Sequence, residues 1–253
     1  MTEHKSNFPE FYITAPQPCP YLPGKLERKL FTHLTREKPG FLIDNLLKGG
    51  FRRSQNIAYM PYCDGCQACV SVRVVVNEFS QSRSLRRIVA RNEDLVASRI
   101  APVPTSEQYS LFRDYIDDRH GDGGMADMSV LDYAMMIEDS IIDTHLTEYR
   151  LKLEPTAGRR AERGAPKGAL KAMALCDRLS DGISMVYSFY DTGEEARSLG
   201  TYMILEQIEE TRRLGLPYLY LGYWIEGSRK MSYKRRFTPQ EHLAQGGWQR
   251  SAE

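Results

Sequence analysis

The sequence predicts an α+β protein in two parts: a small N-terminal α/β domain, residues 1–100, and a larger C-terminal domain, residues 101–253, built on a mixed sheet. Three observations lead there. Val70, Val72, Val74 and Val76 alternate with Ser71 and Arg73, the pattern of a half-buried strand, and an Arg-rich helical segment follows. Ala101-Pro102-Val103-Pro104 interrupts both periodicities and marks the boundary. Beyond it, helical patterns give way to a series of strands and then to a helix–strand pair.

Residues 1–24 carry Pro9, Pro16, Pro18, Pro20 and Pro23, so they read as an extended, wrapped arm. A short helix is expected over 25–38, closed by Pro39-Gly40, and a second over 41–48, closed by Gly49-Gly50. Residues 57–60 read as a brief strand. Thr105 and Gln108 form a capping box for a helix bearing Phe112, Tyr115 and Ile116, which ends at Gly121. Another helix covers about 129–141. Strands follow at about 146–153, 169–178 and 183–190, the last two joined by Ser180-Asp181-Gly182. A helix over 198–214 sets Tyr202, Ile204, Leu205 and Ile208 on one face and Glu206, Glu210 and Arg213 opposite. A strand at 218–225, a short helix at 228–236 and a last strand at 241–249 complete the order, and 154–168 reads as a charged insertion.

At 253 residues the chain has ample length for a core. Its net charge is only +1, so affinity for nucleic acid must come from local clusters. Two acid-free stretches supply them: Arg83, Arg86, Arg87 and Arg91 between Phe79 and Asn92, and Arg229, Lys230, Lys234, Arg235 and Arg236 before Gln240. The polar, Pro-rich N-terminus is unlike a signal peptide, and no apolar run approaches 18 residues, which predicts a cytoplasmic protein with no membrane partner. Five cysteines, an odd number, agree with a reducing compartment.

Strand hairpin, helix, strand, short helix, strand is the order of an acyltransferase fold of the GNAT type, in which the acyl donor lies where two neighbouring strands splay apart. Coenzyme A versions cradle pyrophosphate with R/Q-x-x-G-x-G/A at the start of the helix. Here Arg197-Ser198-Leu199-Gly200-Thr201-Tyr202 matches only in its first half, and the bulky Tyr202 predicts a donor other than coenzyme A. The run from Tyr218 to Phe237 then joins aromatic residues to unbalanced cations, a combination that pairs with phosphates and stacks bases, or else forms a core strand with a solvated basic helix.

With these residues in hand the chain resembles the bacterial aspartate/glutamate leucyltransferases, of the arginyl-tRNA–protein transferase family. The likeness rests on Cys19-Pro20-Tyr21-Leu22-Pro23, Gly50-Phe51-Arg52-Arg53-Ser54, Tyr62-Cys63-Asp64-Gly65-Cys66-Gln67-Ala68-Cys69 and Asp118-Arg119-His120-Gly121-Asp122-Gly123. It continues through Tyr187-Ser188-Phe189-Tyr190, Leu221-Gly222-Tyr223-Trp224-Ile225 and Lys230-Met231-Ser232-Tyr233-Lys234. The 154–168 insertion and Tyr62, where the family often has His, depart from the pattern.

The resemblance implies a GNAT-like C-terminal domain and transfer of leucine from leucyl-tRNA to proteins beginning with Asp or Glu, marking them for N-end rule degradation. Three other readings compete: an arginyl-tRNA–protein transferase, a coenzyme A-dependent N-acetyltransferase, and a non-catalytic RNA-binding protein. An aminoacyl ester is already activated. An α-amino group with a pKa near 7.7–8.0 is roughly a tenth neutral at pH 7, so a general base adds only about 1–1.4 kcal/mol in ground-state terms. Alignment of ester and amine contributes roughly 7–11 kcal/mol, so positioning is expected to dominate and no cofactor is required for transfer.

Candidate roles follow. Lys230, Lys234 and Arg235, with Tyr233 beside them, are candidates for the acceptor-stem phosphates, and Tyr223 or Trp224 for packing the terminal adenosine. Tyr187, Ser188 and Tyr190 lie on the strand bordering the donor channel and are candidates to orient the ester or donate to the oxyanion; core packing is the alternative for the aromatics. Arg119 and His120 end a helix beside a glycine-rich stretch, at the edge of an active site or simply as cations complementing the helix dipole. Arg52, Arg53 and Arg73 are candidates for gripping the acceptor's N-terminal carboxylate. Cys63, Cys66 and Cys69, with Cys19 as a fourth thiol, have spacing suited to zinc or an iron–sulfur cluster, or pack as reduced thiols.

Overall fold

The computed structural model describes residues 9–35, 40–121, 123–153 and 168–251; most of the expected 154–168 insertion lies outside them. The elements in chain order are β1 (Tyr12–Ile13), β2 (Gln17–Pro18), β3 (Leu26–Glu27), β4 (Lys29–His33), α1 (Gly40–Lys48), β5 (Arg52–Ser54), β6 (Ile57–Pro61), β7 (Val70–Val75), α2 (Arg83–Arg91) and β8 (Leu95–Ile100). They continue with α3 (Ser106–Arg119), α4 (Val130–Glu138), β9 (Thr144–Leu151), β10 (Leu170–Arg178), β11 (Gly182–Tyr190), α5 (Leu199–Arg213), β12 (Tyr218–Trp224), β13 (Gln240–Ala244) and β14 (Gly247–Arg250).

A mixed sheet of order β14-β13-β7-β12-β11-β10-β9-β8 forms the body, and β1-β4-β6-β5 forms a smaller antiparallel sheet. The parallel pair in the large sheet is β11–β12, and α5 crosses between them, which is the strand–helix–strand order expected of a GNAT-type fold. Strand alternation explains why helices cover both faces. From β10, Ala172, Ala174 and Cys176 pack toward α2 and α5 with Tyr202, Met203 and Ile208, whereas Met173 and Leu175 pack toward α3 and α4 with Phe112, Ile116 and Tyr133. The capping box from Thr105 to Gln108 starts α3 as expected, with each N–H accepted by the other side chain.

Three expectations are corrected. Of the helix predicted over 25–38, residues 36–38 lie outside the described residues and the rest forms β3 and β4 instead, because Lys29–His33 is sandwiched in the small sheet between β1 and β6, and ladder pairing on both sides overrides helical propensity. The strand 70–76 is not half-buried: Ser71 and Arg73 are buried as well, Ser71 Oγ donating to the Gly50 carbonyl at 3.3 Å and Arg73 Nε to Glu241 on β13 at 2.8 Å. The final strand is a hairpin, β13–β14, and the short helix before it narrows to a 3-10 turn at Ser232–Arg236. Both β7 and β8, which precede the boundary expected at 101, belong to the large sheet.

The two sheets are pinned together through Arg53. Its guanidinium donates to both carboxylate oxygens of Asp177 on β10, at 2.6 and 2.7 Å, and Thr144 Oγ1 adds a third bond at 2.6 Å. Both side chains are 1% exposed, so neither charge has water to fall back on. Arg53→Met should lower the unfolding free energy by about 3–5 kcal/mol, because Asp177 would be left charged and buried. Denaturant titration checks this; replacing Asp177 by Leu in the same chain should recover most of the loss.

Candidate active site

The parallel contact between β11 and β12 is short, running only from Gly182–Ser184 against Tyr218–Tyr220. Where it stops, β11 carries an extra residue: Met185 pairs with Cys176 and Tyr187 with Leu175, leaving Val186 as a bulge. β12 has its own irregularity between Tyr220 and Gly222. Arg52 at the start of β5 enters this gap. Its Nη2 donates to the Met185 carbonyl at 2.8 Å and the Val186 carbonyl at 3.0 Å, carbonyls that an undistorted β12 would have answered. The guanidinium packs against Gly222, where a Cβ would approach Nη1 to 2.0 Å. Gly222 also has φ of +77°, so glycine is required there twice over.

Beside this plug lies Lys234, 4% exposed, whose ammonium donates to the Tyr223 carbonyl. Burial first, and the Arg52 charge second, pull its pKa down to about 7. Lys234 is therefore not a surface cation, and the structure does not present it to a phosphate. Tyr223 is likewise turned inward: its hydroxyl donates to the Gly50 carbonyl at 2.9 Å and reaches the Tyr59 carbonyl at 3.2 Å, and burial raises its pKa. Trp224 is covered by the Arg235 guanidinium at 5.0 Å and by the His242 ring at 5.3 Å, and Arg235 also reaches Glu226 at 3.6 Å.

The candidate residues that do converge meet at the C-terminal end of β11. The Tyr190 ring lies 5.0 Å from that of Tyr115 on α3 and closes over Gly200 in the first turn of α5. Tyr115 faces His120, at the end of α3, with ring centroids 5.5 Å apart. Tyr115 has its pKa raised, by burial first and then by Tyr190, Tyr187 and Tyr233. His120 has its pKa lowered, by burial and then by Lys230 and Arg119. Tyr187 packs against Phe112 at 6.2 Å and burial pushes its pKa up to about 12. Exposed Tyr233 and Lys230 complete the rim. Arg119 pairs with Asp118 at 3.2 Å and Glu195 at 3.4 Å, and half-buried Ser188 lies opposite Ala174 in the ladder.

Each of the three arginines expected to read the acceptor carboxylate already has partners, although the buried Nη1 of Arg52 has none among the described residues. Arg52 and Arg53 are engaged as above, and Arg73 holds Glu241 at 2.7 Å while stacking between Tyr218 at 3.4 Å and Trp248 at 4.3 Å. Tyr202 is corrected too: it is buried against Tyr149 at 5.8 Å and does not stand across the α5 N-terminus. What the motif's first half lacks is a free arginine, since Arg197 is clamped by Asp94 at 2.7 and 2.8 Å and by Glu194. Tyr115 was legible only as a helix-face aromatic, whereas Gly222 was signalled by its place inside an aromatic strand.

Cys19, Cys63, Cys66 and Cys69 line one cavity of ≈ 470 Å³ with Tyr21, Tyr59 and Tyr223. Burial, then the neighbouring thiols Cys63, Cys19 and Cys66, push the Cys69 pKa up to about 11, so it rests as a thiol. Cys63 Sγ accepts the Arg28 N–H at 3.5 Å. Among the described residues no three His, Cys, Asp or Glu side chains are arranged to hold one ion.

Comparison with known proteins places these features. The sequence profile described as "Arginine-tRNA-protein transferase, C terminus" matches residues 107–244, and its N-terminal counterpart matches residues 17–87. The chain belongs to this family. The aspartate/glutamate leucyltransferase of Rhodopseudomonas palustris (strain BisA53) is 62% identical over 251 residues, covering 99% of this chain and 95% of that protein. That of Bradyrhizobium sp. (strain ORS 278) is 60% identical over 253 residues, with 99% and 95% covered. A crystal structure of FemX aligns at a TM-score of 0.48 and 12% identity over 83% of this chain and 67% of that one. The four clustered cysteines and Arg52 fall in the N-terminal match, and the tyrosine cluster, His120 and Lys234 in the C-terminal one.

Two outcomes test the geometry. Gly222→Ala should cost about 1–3 kcal/mol in a denaturant titration, from the strained φ and the collision with Arg52; Arg52→Ala in the same chain should not restore it, because the Met185 and Val186 carbonyls then lose their donor. Lys234 contributes a pH effect of known sign. Its folded pKa lies below its usual value, so the folded state binds fewer protons between about pH 7 and pH 10. Stability should rise with pH across that window and level off at its lower value below about pH 7; Lys234→Met should flatten that part of the profile.

Proposed function

We propose that this chain is an aminoacyltransferase moving leucine from leucyl-tRNA to the α-amino group of proteins that begin with Asp or Glu, a tag for N-end rule degradation in the cytoplasm. The family match supports tRNA-dependent transfer, and relatives about 60% identical over nearly the whole chain bear the name aspartate/glutamate leucyltransferase. The structural observation that carries the reading is the Arg52 plug. A thioester arm cannot lie in the β11–β12 gap while a guanidinium holds the Met185 and Val186 carbonyls, so the donor's ester carbonyl is presented at the rim.

At that rim the chemistry divides among the chain's own residues. The acceptor amine attacks the ester carbonyl, and the bond to the ribose oxygen breaks. Tyr115 and Tyr187, with pKa values raised by burial, keep their O–H protons and donate to the developing oxyanion. His120, held neutral at pH 7 by its lowered pKa, accepts the amine proton as the C–N bond forms and returns it to the departing ribose oxygen, which leaves as the hydroxyl. Lys230, exposed beside His120, is the cation available to the acceptor's Asp or Glu carboxylate. The four clustered cysteines are a zinc or iron–sulfur candidate by spacing and shared cavity, and no transfer step passes through them. No helix of the described residues is long and apolar enough to cross a membrane.

Incubation with radiolabelled leucyl-tRNA and peptides beginning Asp, Glu, Arg or Ala tests the reading. Label should enter the Asp and Glu peptides only, with no transfer from acetyl-coenzyme A. Labelling from arginyl-tRNA alone would favour the arginyl-transferase reading, and RNA binding without transfer would sink the enzyme.

A further inference from the structure

The Arg-rich helix α2 takes no part in the site described so far. Ser82 caps its start, and Leu85 and Ile88 bury one side against the core. At 100° per residue, Arg83, Arg86, Arg87 and Arg91 fall in one stripe about 140° wide, and all four are exposed. Arg86 bonds the Gln81 carbonyl and Arg91 the Ala196 carbonyl; among the described residues none of the four forms an ion pair. Such a concentration of unpaired charge stands out on a chain of net charge +1, whose acids gather on α3 and α5 instead.

The stripe is also tied to the active-site rim. Asn92 bonds both the Ile88 and Arg197 carbonyls at 2.9 Å, so the end of α2 is stapled to the segment entering α5. From there Gly200 meets the Tyr190 ring, and Arg236 reaches Thr201 Oγ1 at 3.4 Å. Arg91, at the Ala196 carbonyl, and Arg236, at Thr201, thus sit on either side of the start of α5, next to the Gly200–Tyr190 contact.

We propose that the exposed arginine stripe of α2 docks the phosphate backbone of the donor tRNA's acceptor stem, leading its aminoacylated end across the start of α5 to the Tyr190 rim. The proposal rests on the transferase reading above and adds a surface to it. An RNA backbone supplies regularly spaced, sequence-independent anions, which is what a stripe of unpaired guanidinium groups along one helix can neutralise.

The test replaces Arg83, Arg86 and Arg87 by Ala together, and separately by Lys. Each protein is assayed with full leucyl-tRNA and with the leucyl ester of the terminal trinucleotide CCA, and tRNA binding is measured directly across salt concentrations. The Ala variant should lose at least tenfold in kcat/KM with leucyl-tRNA through KM, and its salt slope should fall by roughly 2–3, at 0.7–0.9 per lost phosphate contact. Transfer from the short donor should be unchanged, and the Lys variant should keep most of the slope. Equal losses with both donors, no loss with either, or a salt dependence that follows an acidic acceptor protein would overturn the proposal. Should the wild-type protein bind tRNA but transfer no leucine, a reduced slope for the Ala variant still supports the surface while the transferase reading falls.

Discussion

The guanidinium of Arg52 sets how the centre of the large sheet is built. Parallel strands β11 and β12 separate after three residue pairs, which strands carbonyl groups inside the protein. A buried carbonyl without a partner costs about as much as a lost hydrogen bond, so something must answer it. Arg52 answers two, at Met185 and Val186, and in doing so ties the small sheet to the large one beside the Arg53–Asp177 pair. Its guanidinium in turn needs a Cβ-free neighbour at Gly222, and its charge adds to burial in depressing the neighbouring Lys234 ammonium. Bulge, glycine, plug and neutral-leaning lysine form one dependent set.

The consequence for function is one of access. Arg52 fills the gap by which a thioester arm would enter, and the proposed meeting place of ester and amine is therefore the end of β11. The residues there are suited to alignment and hydrogen-bond donation rather than to covalent chemistry: protonated tyrosines, one neutral imidazole, and an exposed lysine. That matches a reaction whose donor arrives activated, where holding two groups together contributes more than proton transfer does.

Much of the fold was legible because its periodicities are clean. The Thr105–Gln108 capping box, the Ser180-Asp181-Gly182 turn and the amphipathic α5 all appear where the sequence puts them. Residues 25–38 misled because a strand held on both sides by partners distant in sequence owes little to its own propensity. The site was half legible. Tyr187, Tyr190, Arg119, His120, Lys230 and Tyr233 fall around one rim, but a cation's sequence neighbours do not reveal whether it points to water. Lys234, Arg53 and Arg73 belong to basic or motif-bearing stretches, yet their partners Tyr223, Asp177 and Glu241 lie on other strands, and only the sheet order brings them together.

The most direct measurement is a crystal structure with a non-hydrolysable leucyl-adenosine analogue, in which an amide replaces the ester. The account expects the leucyl carbonyl near Tyr115, Tyr187 and His120 at the end of β11, with Arg52 still bonded to the Met185 and Val186 carbonyls. An analogue lying between β11 and β12 with the Arg52 side chain expelled from the gap would contradict it.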